Sequence, residues 1–361
     1  MGPLRLHSSL GSEAGLYGWG VVTRELHREF ARRCEFEAVL PDTPDLAGKQ
    51  IDGHVLVVAA GQMETYCPLR GAFNYAMGMF DHELLPEARE KAAAFDLVFT
   101  GSRWCAGHLR QAGISQAVPF LQGVDTALFS PDPAADLMVG APSERPFLVF
   151  SGGKLEHRKG HDLTIAAMRI LQERYPDIIL VTVWGNYLGA PSIRSLAASP
   201  HIRFAWEEGV SDPAGRDLCL LNGLDPARVI CCGPLSHPDL AAVYRRCHLG
   251  LFPSRCEAAT NMVMCEFMAC GRPVVASGHY GHADVLGPDY AFVLEPRHHL
   301  GTLQAEVSVE EIVQAVELAY HHRSTLPAIG ARARSAMERL TWADAAETIL
   351  AAMRRVEAER G

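Results

Sequence analysis

Two glutamates bracket an apolar segment in the stretch CEAATNMVMCEFMACGRPVVAS, residues 256–277. Glu257 and Glu266 enclose Ala258–Cys265. Carboxylates are rarely buried without a partner, so we expect a ligand or a cation close to both. Carboxylate oxygens accept hydrogen bonds from paired hydroxyls, such as those of ribose or a hexose. An alternative is that Glu257 caps a turn and Glu266 pairs with an arginine.

A helix is expected to begin inside this stretch, after a strand that ends at Pro253-Ser254. The amide N–H groups of Ala259, Thr260 and Asn261 would then lie at the helix N-terminus without partners in the helix. Such a terminus binds anions, and a phosphate is the ligand that fits beside sugar hydroxyls.

A second candidate is the basic loop in SGGKLEHRKGHDLTIAAM, residues 151–168. Gly153 ends a predicted strand, and Lys154, Arg158 and Lys159 follow in the loop. Glycine allows a ligand to approach the backbone closely. Three cations at a strand end suit a diphosphate, whose negative charge grows as it departs. The alternative is a solvated basic loop, and the spacing does not match a P-loop.

The first glycine-rich loop, GSEAGLYGWG at residues 11–20, contains Gly15 and Gly18. It lacks the Gly-x-Gly-x-x-Gly order, which disfavours a dinucleotide site. A flexible first loop over a cleft is the better interpretation.

Composition limits the function classes. The chain has 361 residues, is 48% hydrophobic and carries a net charge of −9, which argues against nucleic-acid binding and for two globular domains. No secretory signal or membrane span is evident. The ten cysteines lack a Cys-x-x-Cys or zinc spacing. We therefore expect reduced thiols and a cytoplasmic protein.

Short apolar strands alternate with helices in two series, which predicts an α/β protein with two Rossmann-like, doubly wound domains facing a cleft. Ligands of such folds bind at the carboxyl ends of the strands. The predicted divisions are an N-terminal domain at 1–135, a linker at 136–146, a C-terminal domain at 147–327 and helices at 328–361.

Three segments in this order resemble the GT-B fold retaining glycosyltransferases of family 4, the glycosyl transferases group 1. AFDLVFTGSRWCAGHLRQAGISQAVPFLQGVDTALFSP is similar to the end of that family's first domain. FSGGKLEHRKGHDLTIAAM is similar to its basic loop, and residues 233–277 resemble its two-glutamate motif. The likeness extends over nearly the whole chain.

The chain departs from the family pattern in places. Its glutamates are separated by eight residues rather than seven, and Ala-Ala-Thr-Asn replaces Gly-Phe-Gly, which indicates a subtype with a longer motif. The first loop is also longer than usual. MFDHELLP, residues 79–86, is similar to a segment of some members and contains His82 and Glu83.

The resemblance implies a role for each matching residue. Glu266 would bind the nucleotide ribose, and Glu257 would bind hydroxyls of the donor sugar. Lys154 and Lys159 would neutralise the diphosphate, with Arg158 as a weaker candidate.

Further roles are less directly implied. Gly153 and the backbone at Ala259, Thr260 and Asn261 would complete the donor site. His82 is expected to make a polar contact near the reacting sugar. Glu83, Gly15 and Gly18 are assigned to the acceptor side and first loop, and the closing helix containing Trp342 is expected to cross back to the first domain.

The implied activity is transfer of a sugar from a UDP- or GDP-sugar to a hydroxyl acceptor with retention, in glycan or natural-product biosynthesis. Lysines and the helix dipole would take the place of a metal, so neither a metal nor another cofactor is expected. Alternatives are a non-catalytic module that binds a sugar nucleotide or a partner, and a same-fold epimerase or phosphorylase. Membrane contact is not indicated, and the sugar, the base, the acceptor and the oligomeric state stay open.

Overall fold

The computed structural model describes residues 4–13, 18–39, 50–131, 146–185, 190–299 and 303–360. They form two compact units. Unit 1 comprises Met1–Val124, Ala258–Thr260 and Leu340–Gly361, and unit 2 comprises Asp125–Glu257 and Asn261–Arg339.

Unit 1 is a parallel sheet flanked by helices. Its strands are β1 (Arg5–Ser9), β2 (Glu35–Ala38), β3 (Gln50–Ala60), β4 (Glu64–Thr65), β5 (Arg70–Met77), β6 (Leu97–Thr100) and β7 (Ala117–Pro119). Its first helices are α1 (Gly18–Phe30), α2 (Pro86–Ala92) and α3 (Arg103–Gln111). The strand order is β2-β1-β3-β5-β6-β7, and the short β4 pairs antiparallel with β3.

The strands of unit 1 form where the sequence has continuous apolar runs, because helices cover both faces of a parallel sheet. Val55 and Val57 of β3 and Val98 of β6 are almost completely buried. Helix α3 follows Ser102, whose hydroxyl accepts a hydrogen bond from the Cys105 amide. The predicted alternation of apolar strands and helices is confirmed in unit 1.

Unit 2 repeats the pattern with a second parallel sheet. Its strands are β8 (Phe147–Lys154), β9 (Ile178–Gly185), β10 (Val229–Cys231), β11 (Leu249–Phe252), β12 (Val274–Ser277) and β13 (Ala291–Leu294), with an antiparallel pair, β14 (His298–His299) and β15 (Ala305–Glu306). Its helices are α4 (His161–Arg174), α5 (Ala190–Arg194), α6 (Arg216–Leu221), α7 (His237–Arg246), α8 (Met262–Ala269), α9 (Val309–His321) and α10 (Leu326–Met337).

The strand order of this sheet is β10-β9-β8-β11-β12-β13, and all its pairs are parallel. This order is that of a doubly wound sheet, and it reverses direction between β8 and β11. The loops that follow these two adjacent strands are the basic loop and the segment leading to Glu257. The topology therefore brings together two segments that lie about a hundred residues apart in sequence.

The last helix is α11 (Trp342–Arg360), which belongs to unit 1. The predicted closing segment began at residue 328, whereas α10 stays with unit 2 and the return to unit 1 starts at Leu340. Residues from Asp125 to 131 likewise belong to unit 2 rather than to the N-terminal domain predicted to end at 135. Apart from Pro146, the predicted linker lies outside the described residues.

No helix in the described part of the chain is both long enough and apolar enough to span a bilayer.

Candidate functional site

The carboxylate of Glu257 is the centre of a dense network in unit 2. Its Oε1 accepts hydrogen bonds from Lys159 Nζ at 2.7 Å, Ser254 Oγ at 2.8 Å and Asn261 Nδ2 at 3.1 Å. Its Oε2 accepts from Lys159 Nζ at 2.9 Å and Arg158 Nη1 at 3.2 Å. The side chain is 6% exposed. The lysine and arginine of the basic loop thus contact the first glutamate of the two-glutamate segment, two segments that were expected only to lie at one edge of the sheet.

Burial alone would raise the pKa of Glu257, but the adjacent Lys159 and Arg158 hold it well below its usual range. Glu257 is therefore a carboxylate at neutral pH. It can accept hydrogen bonds from hydroxyl groups but cannot donate one.

Close backbone contacts hold the basic loop against the segment after β11. Residues His157–Lys159 form a single 3₁₀ turn that ends at Gly160, which has φ +70°. A Cβ at Gly160 would collide with the carbonyl oxygen of Pro253, so only glycine fits here. The Arg255 amide also donates to the Arg158 carbonyl at 2.7 Å. These contacts fix where Lys159 and Arg158 present their charges.

The side chain of Arg255 helps to hold the basic loop and the segment after β11 in place. Its side chain is fully buried and donates to both carboxylate oxygens of Asp162, at 2.8 and 2.7 Å, and to Glu306 at 2.8 Å. It also donates to the His157 carbonyl at 2.6 Å. A buried guanidinium with two carboxylate partners is electrostatically satisfied. Its bond to the backbone of the basic loop makes it part of the scaffold of the site.

Helix α8 carries the second glutamate. The helix begins at Met262 with Asn261 as N-cap, which confirms the predicted start near Thr260-Asn261. Asn261 has φ +60°, a conformation that asparagine tolerates better than most residues. Glu266 lies on the second turn, is 6% exposed and accepts a hydrogen bond from the Tyr244 hydroxyl at 3.3 Å.

Lys154 and Gly153 end strand β8. Lys154 Nζ lies 3.5 Å from Glu156, whose carboxylate also accepts a hydrogen bond from Arg158 at 2.7 Å. Gly153 has φ +116°, and no atom lies within 4 Å of the position that a Cβ would occupy. The end of the strand thus leaves open space at this Cβ position, and a ligand role for Gly153 stays a prediction.

The remaining candidates belong to unit 1. His82 Nε2 donates to the Gly61 carbonyl at 2.8 Å, and a hydrogen bond with Asp81 raises the pKa of His82. The Glu83 carbonyl accepts from Gln62 at 2.9 Å. Thr260, which also groups with unit 1, donates to Gln122 at 3.2 Å, and Ala259 lies beside Gly101.

The two glycine candidates of the first loop are Gly15 and Gly18. Gly18 is the first residue of α1, with no atom within 4 Å of its hypothetical Cβ. Gly15 lies outside the described residues.

Sequence reasoning missed several parts of the site. It assigned no role to Ser254, Arg255 or Glu156. Ser254 and Arg255 lie within three residues of Glu257, so proximity was a usable signal. Glu156 likewise lies two residues from both Lys154 and Arg158, whereas the contact of His282 with Asn261 depends on the fold.

Residues 208–321 match a protein-family model described as "Glycosyl transferases group 1". This region contains both glutamates but not the basic loop.

Similar curated proteins include D-inositol 3-phosphate glycosyltransferases. One from Xylanimonas cellulosilytica is 29% identical over 237 residues, covering 63% of this chain and 48% of the relative. One from an Arthrobacter species is 31% identical over 160 residues, covering 43% of this chain and 32% of the relative. The chain thus spans about half or less of these relatives' length.

Two solved structures share the fold over nearly the full chain. Sucrose-phosphate synthase from Thermosynechococcus elongatus has a TM-score of 0.70 at 17% identity, covering 99% of both chains. The Anabaena protein HepE, solved in complex with UDP-glucose, has a TM-score of 0.67 at 13% identity, again covering 99% of both chains. The likeness, together with the two parallel sheets, confirms the predicted α/β GT-B fold.

Proposed function

We propose that the protein is a retaining glycosyltransferase of family 4, in a subtype with a longer two-glutamate motif. It moves a sugar from a nucleotide-diphosphate donor to a hydroxyl acceptor. The observation that carries the proposal is the contact of Lys159 and Arg158 with Glu257 at the strand reversal between β8 and β11. Ligands of doubly wound sheets bind at this position.

The charged side chains at this position match two parts of a nucleotide-sugar donor, namely its diphosphate and its sugar. Lys159, Arg158 and Lys154 supply cationic donors for the phosphates, and the Glu257 carboxylate supplies acceptors for sugar hydroxyls. The first turn of α8 adds the positive end of a helix dipole. We assign Glu266, one turn further along the helix, to accept hydrogen bonds from the ribose of the nucleotide.

In the reaction, the bond between the anomeric carbon and the diphosphate oxygen breaks, and the electron pair stays on the diphosphate. The acceptor hydroxyl attacks the same face of the sugar, and a leaving phosphate oxygen takes its proton. Lys159, Arg158 and Lys154 stabilise the charge that develops on the leaving group, where preorganised donors lower a barrier most.

We also propose that the reaction needs no metal, since these three cations can stabilise the charge that a divalent ion would otherwise neutralise. The protein is proposed to act in the cytoplasm. His82, Glu83, Gly15 and Gly18 stay candidates for the acceptor side. UDP-glucose is the first donor to test, because HepE was solved with it.

The decisive experiment combines binding and turnover. A thermal-shift screen with UDP, GDP, ADP and TDP should show a rise in melting temperature for one of them, because a ligand that binds the native state stabilises it. The matching UDP- or GDP-sugar should then be consumed at equal rates with and without EDTA. Binding without hydrolysis or transfer to any hydroxyl acceptor would instead indicate the non-catalytic module. No shift with any nucleotide would contradict both.

A further inference from the structure

The side-chain amide of Asn261 uses all its polar groups inside unit 2. Its Nδ2 donates to Glu257 Oε1 and to His282 Nε2, each at 3.1 Å. Its Oδ1 accepts from the Met264 amide at 3.4 Å and so caps α8. The orientation of this amide therefore determines whether Glu257 faces a donor or an acceptor.

The ring of His282 is 1% exposed and is held at both nitrogens. Nδ1 lies 3.0 Å from the Ser277 carbonyl, which can only accept, so Nδ1 carries the proton. Nε2 is then free of hydrogen and accepts from Asn261. The backbone anchors the same turn, because the Gly281 amide donates to the Glu257 carbonyl at 2.9 Å.

We propose that His282 is a positioning residue of the donor site: through Asn261 it fixes the carboxylate of Glu257 in the orientation that receives the donor sugar. The inference rests on the proposed function. The chain of hydrogen bonds runs from the Ser277 carbonyl through His282 and Asn261 to Glu257.

The influence of His282 on Glu257 depends on how the side-chain amide of Asn261 is oriented between them. Without an acceptor at the Nε2 position, one N–H of Asn261 loses its partner, and the amide can rotate towards another acceptor, which draws its other N–H away from Glu257. The carboxylate would then rotate away from its present position. Displacements of about 1 Å in a reacting assembly can cost about a hundredfold in rate.

The charged groups around the ring favour its neutral form. Burial lowers the pKa of His282 to about 4, with Glu257 opposing this effect and Lys159 and His279 adding to it. Arg158 faces the other oxygen of Glu257. The ring thus stays neutral at physiological pH, as the acceptor role requires.

The test uses two variants that each keep half of the ring's hydrogen bonding. In His282→Gln the side chain is long enough to place an oxygen acceptor near the Nε2 position. In His282→Asn the shorter amide can still donate to the Ser277 carbonyl but offers Asn261 no acceptor. We expect kcat within about threefold of wild type for the glutamine variant and a loss of about thirtyfold or more for the asparagine variant.

Two further readouts separate positioning from general damage. The acid limb of the kcat–pH profile should move to higher pH in His282→Asn only, because Glu257 loses a donor that favours its ionised form. Adding His282→Asn to Asn261→Ala should cost no further activity, since the two residues act through one chain of bonds. Equal losses in both histidine variants with unmoved pH profiles would overturn the proposal.

A measurement on the wild-type protein tests the role of His282 without relying on turnover. The ¹⁵N shifts of the His282 ring should report a proton on Nδ1 and none on Nε2 from about pH 6 to about pH 8. A proton on Nε2 in this range would overturn the inference whether or not the protein transfers sugar. Absence of any turnover with the expected tautomer would count against the proposed function alone.

Discussion

The ammonium group of Lys159 lies 2.7 and 2.9 Å from the two carboxylate oxygens of Glu257, and the two side chains are only 13% and 6% exposed. A lysine in the basic loop therefore neutralises a glutamate from the other segment. A diphosphate that binds there would share the ammonium group with the carboxylate. Under the proposed function, the pair would couple the phosphate end of the donor to its sugar end.

Removing one member of this pair should damage both stability and activity. We expect Lys159→Met to lower the free energy of unfolding by about 3 kcal/mol, because it leaves a buried carboxylate with less compensation. Turnover should fall by at least about a hundredfold. Chemical denaturation and initial rates measure the two effects.

The double variant Lys159→Met/Glu257→Gln is the control. It should recover part of the stability but none of the activity. Wild-type turnover in either variant would refute the assignment of the site.

Glu266 should govern nucleotide affinity rather than the chemical step. Hydrogen bonds to a charged group contribute about 1.5–3 kcal/mol, so Glu266→Ala should weaken nucleotide binding by roughly 10- to 100-fold. Tyr244→Phe, which removes the hydroxyl that Glu266 accepts from, should change the affinity much less. Calorimetric titration with the nucleotide measures the affinities of both variants. Similar dissociation constants for Glu266→Ala and wild type would contradict the assignment of Glu266 to the ribose.

The sequence predicted the elements around Glu257 better than it predicted their contacts. The strand ending near Pro253-Ser254 and the helix starting at Asn261 followed from apolar runs and capping residues. The pairing of Lys159 with Glu257 was expected only as two segments at one strand edge. The contacts of Arg255 with Asp162 and of His282 with Asn261 could not be predicted, because they join residues that only the fold brings together.

The boundaries between the two units were harder to predict from the sequence than the secondary structure. Leu340, where the chain returns to unit 1, has no local signal that distinguishes it from position 328. Helical periodicity continues through both α10 and α11, so only their packing decides which unit each helix joins.

Arg255 should be a major determinant of stability. Arg255→Met would leave Asp162 and Glu306 buried without their common cation, which should cost about 3–5 kcal/mol. Arg174→Met is the matched control, because Arg174 is 52% exposed and pairs with Glu317 at 2.8 Å on the surface. That change should cost at most about 1 kcal/mol. Equal urea midpoints for the two variants would contradict the scaffold role of Arg255.

Acid should destabilise the protein partly through Asp162. Burial would raise the pKa of Asp162, but hydrogen bonds from Arg255 and Ser199 lower it below its ordinary value. The folded pKa is thus below the unfolded one, so this contribution to stability is complete above about pH 4 and is lost as pH falls further. In Asp162→Asn the free energy of unfolding should vary less with pH in this range. An unchanged slope would show that other carboxylates account for the acid sensitivity.

Cys231 should be the most reactive of the ten thiols at neutral pH. A hydrogen bond from Cys219 lowers the pKa of Cys231 to about 7, and its side chain is partly exposed. The lowered pKa raises the fraction of Cys231 that is thiolate at neutral pH, and the thiolate is the nucleophile. Iodoacetamide should modify Cys231 faster than Cys34, whose pKa burial raises to about 11.

Two substitutions at Cys219 test this cause. Cys219→Ala removes the donor, so the pKa of Cys231 should return towards its ordinary value of about 8.5 and alkylation at pH 7 should slow by roughly tenfold or more. Cys219→Ser keeps a hydroxyl donor at the same position and should retain more of the reactivity. Peptide mass spectrometry of the native protein after brief labelling gives the rates. If Cys231 reacted equally fast in all three proteins, the Cys219 thiol would not be the group that stabilises its thiolate.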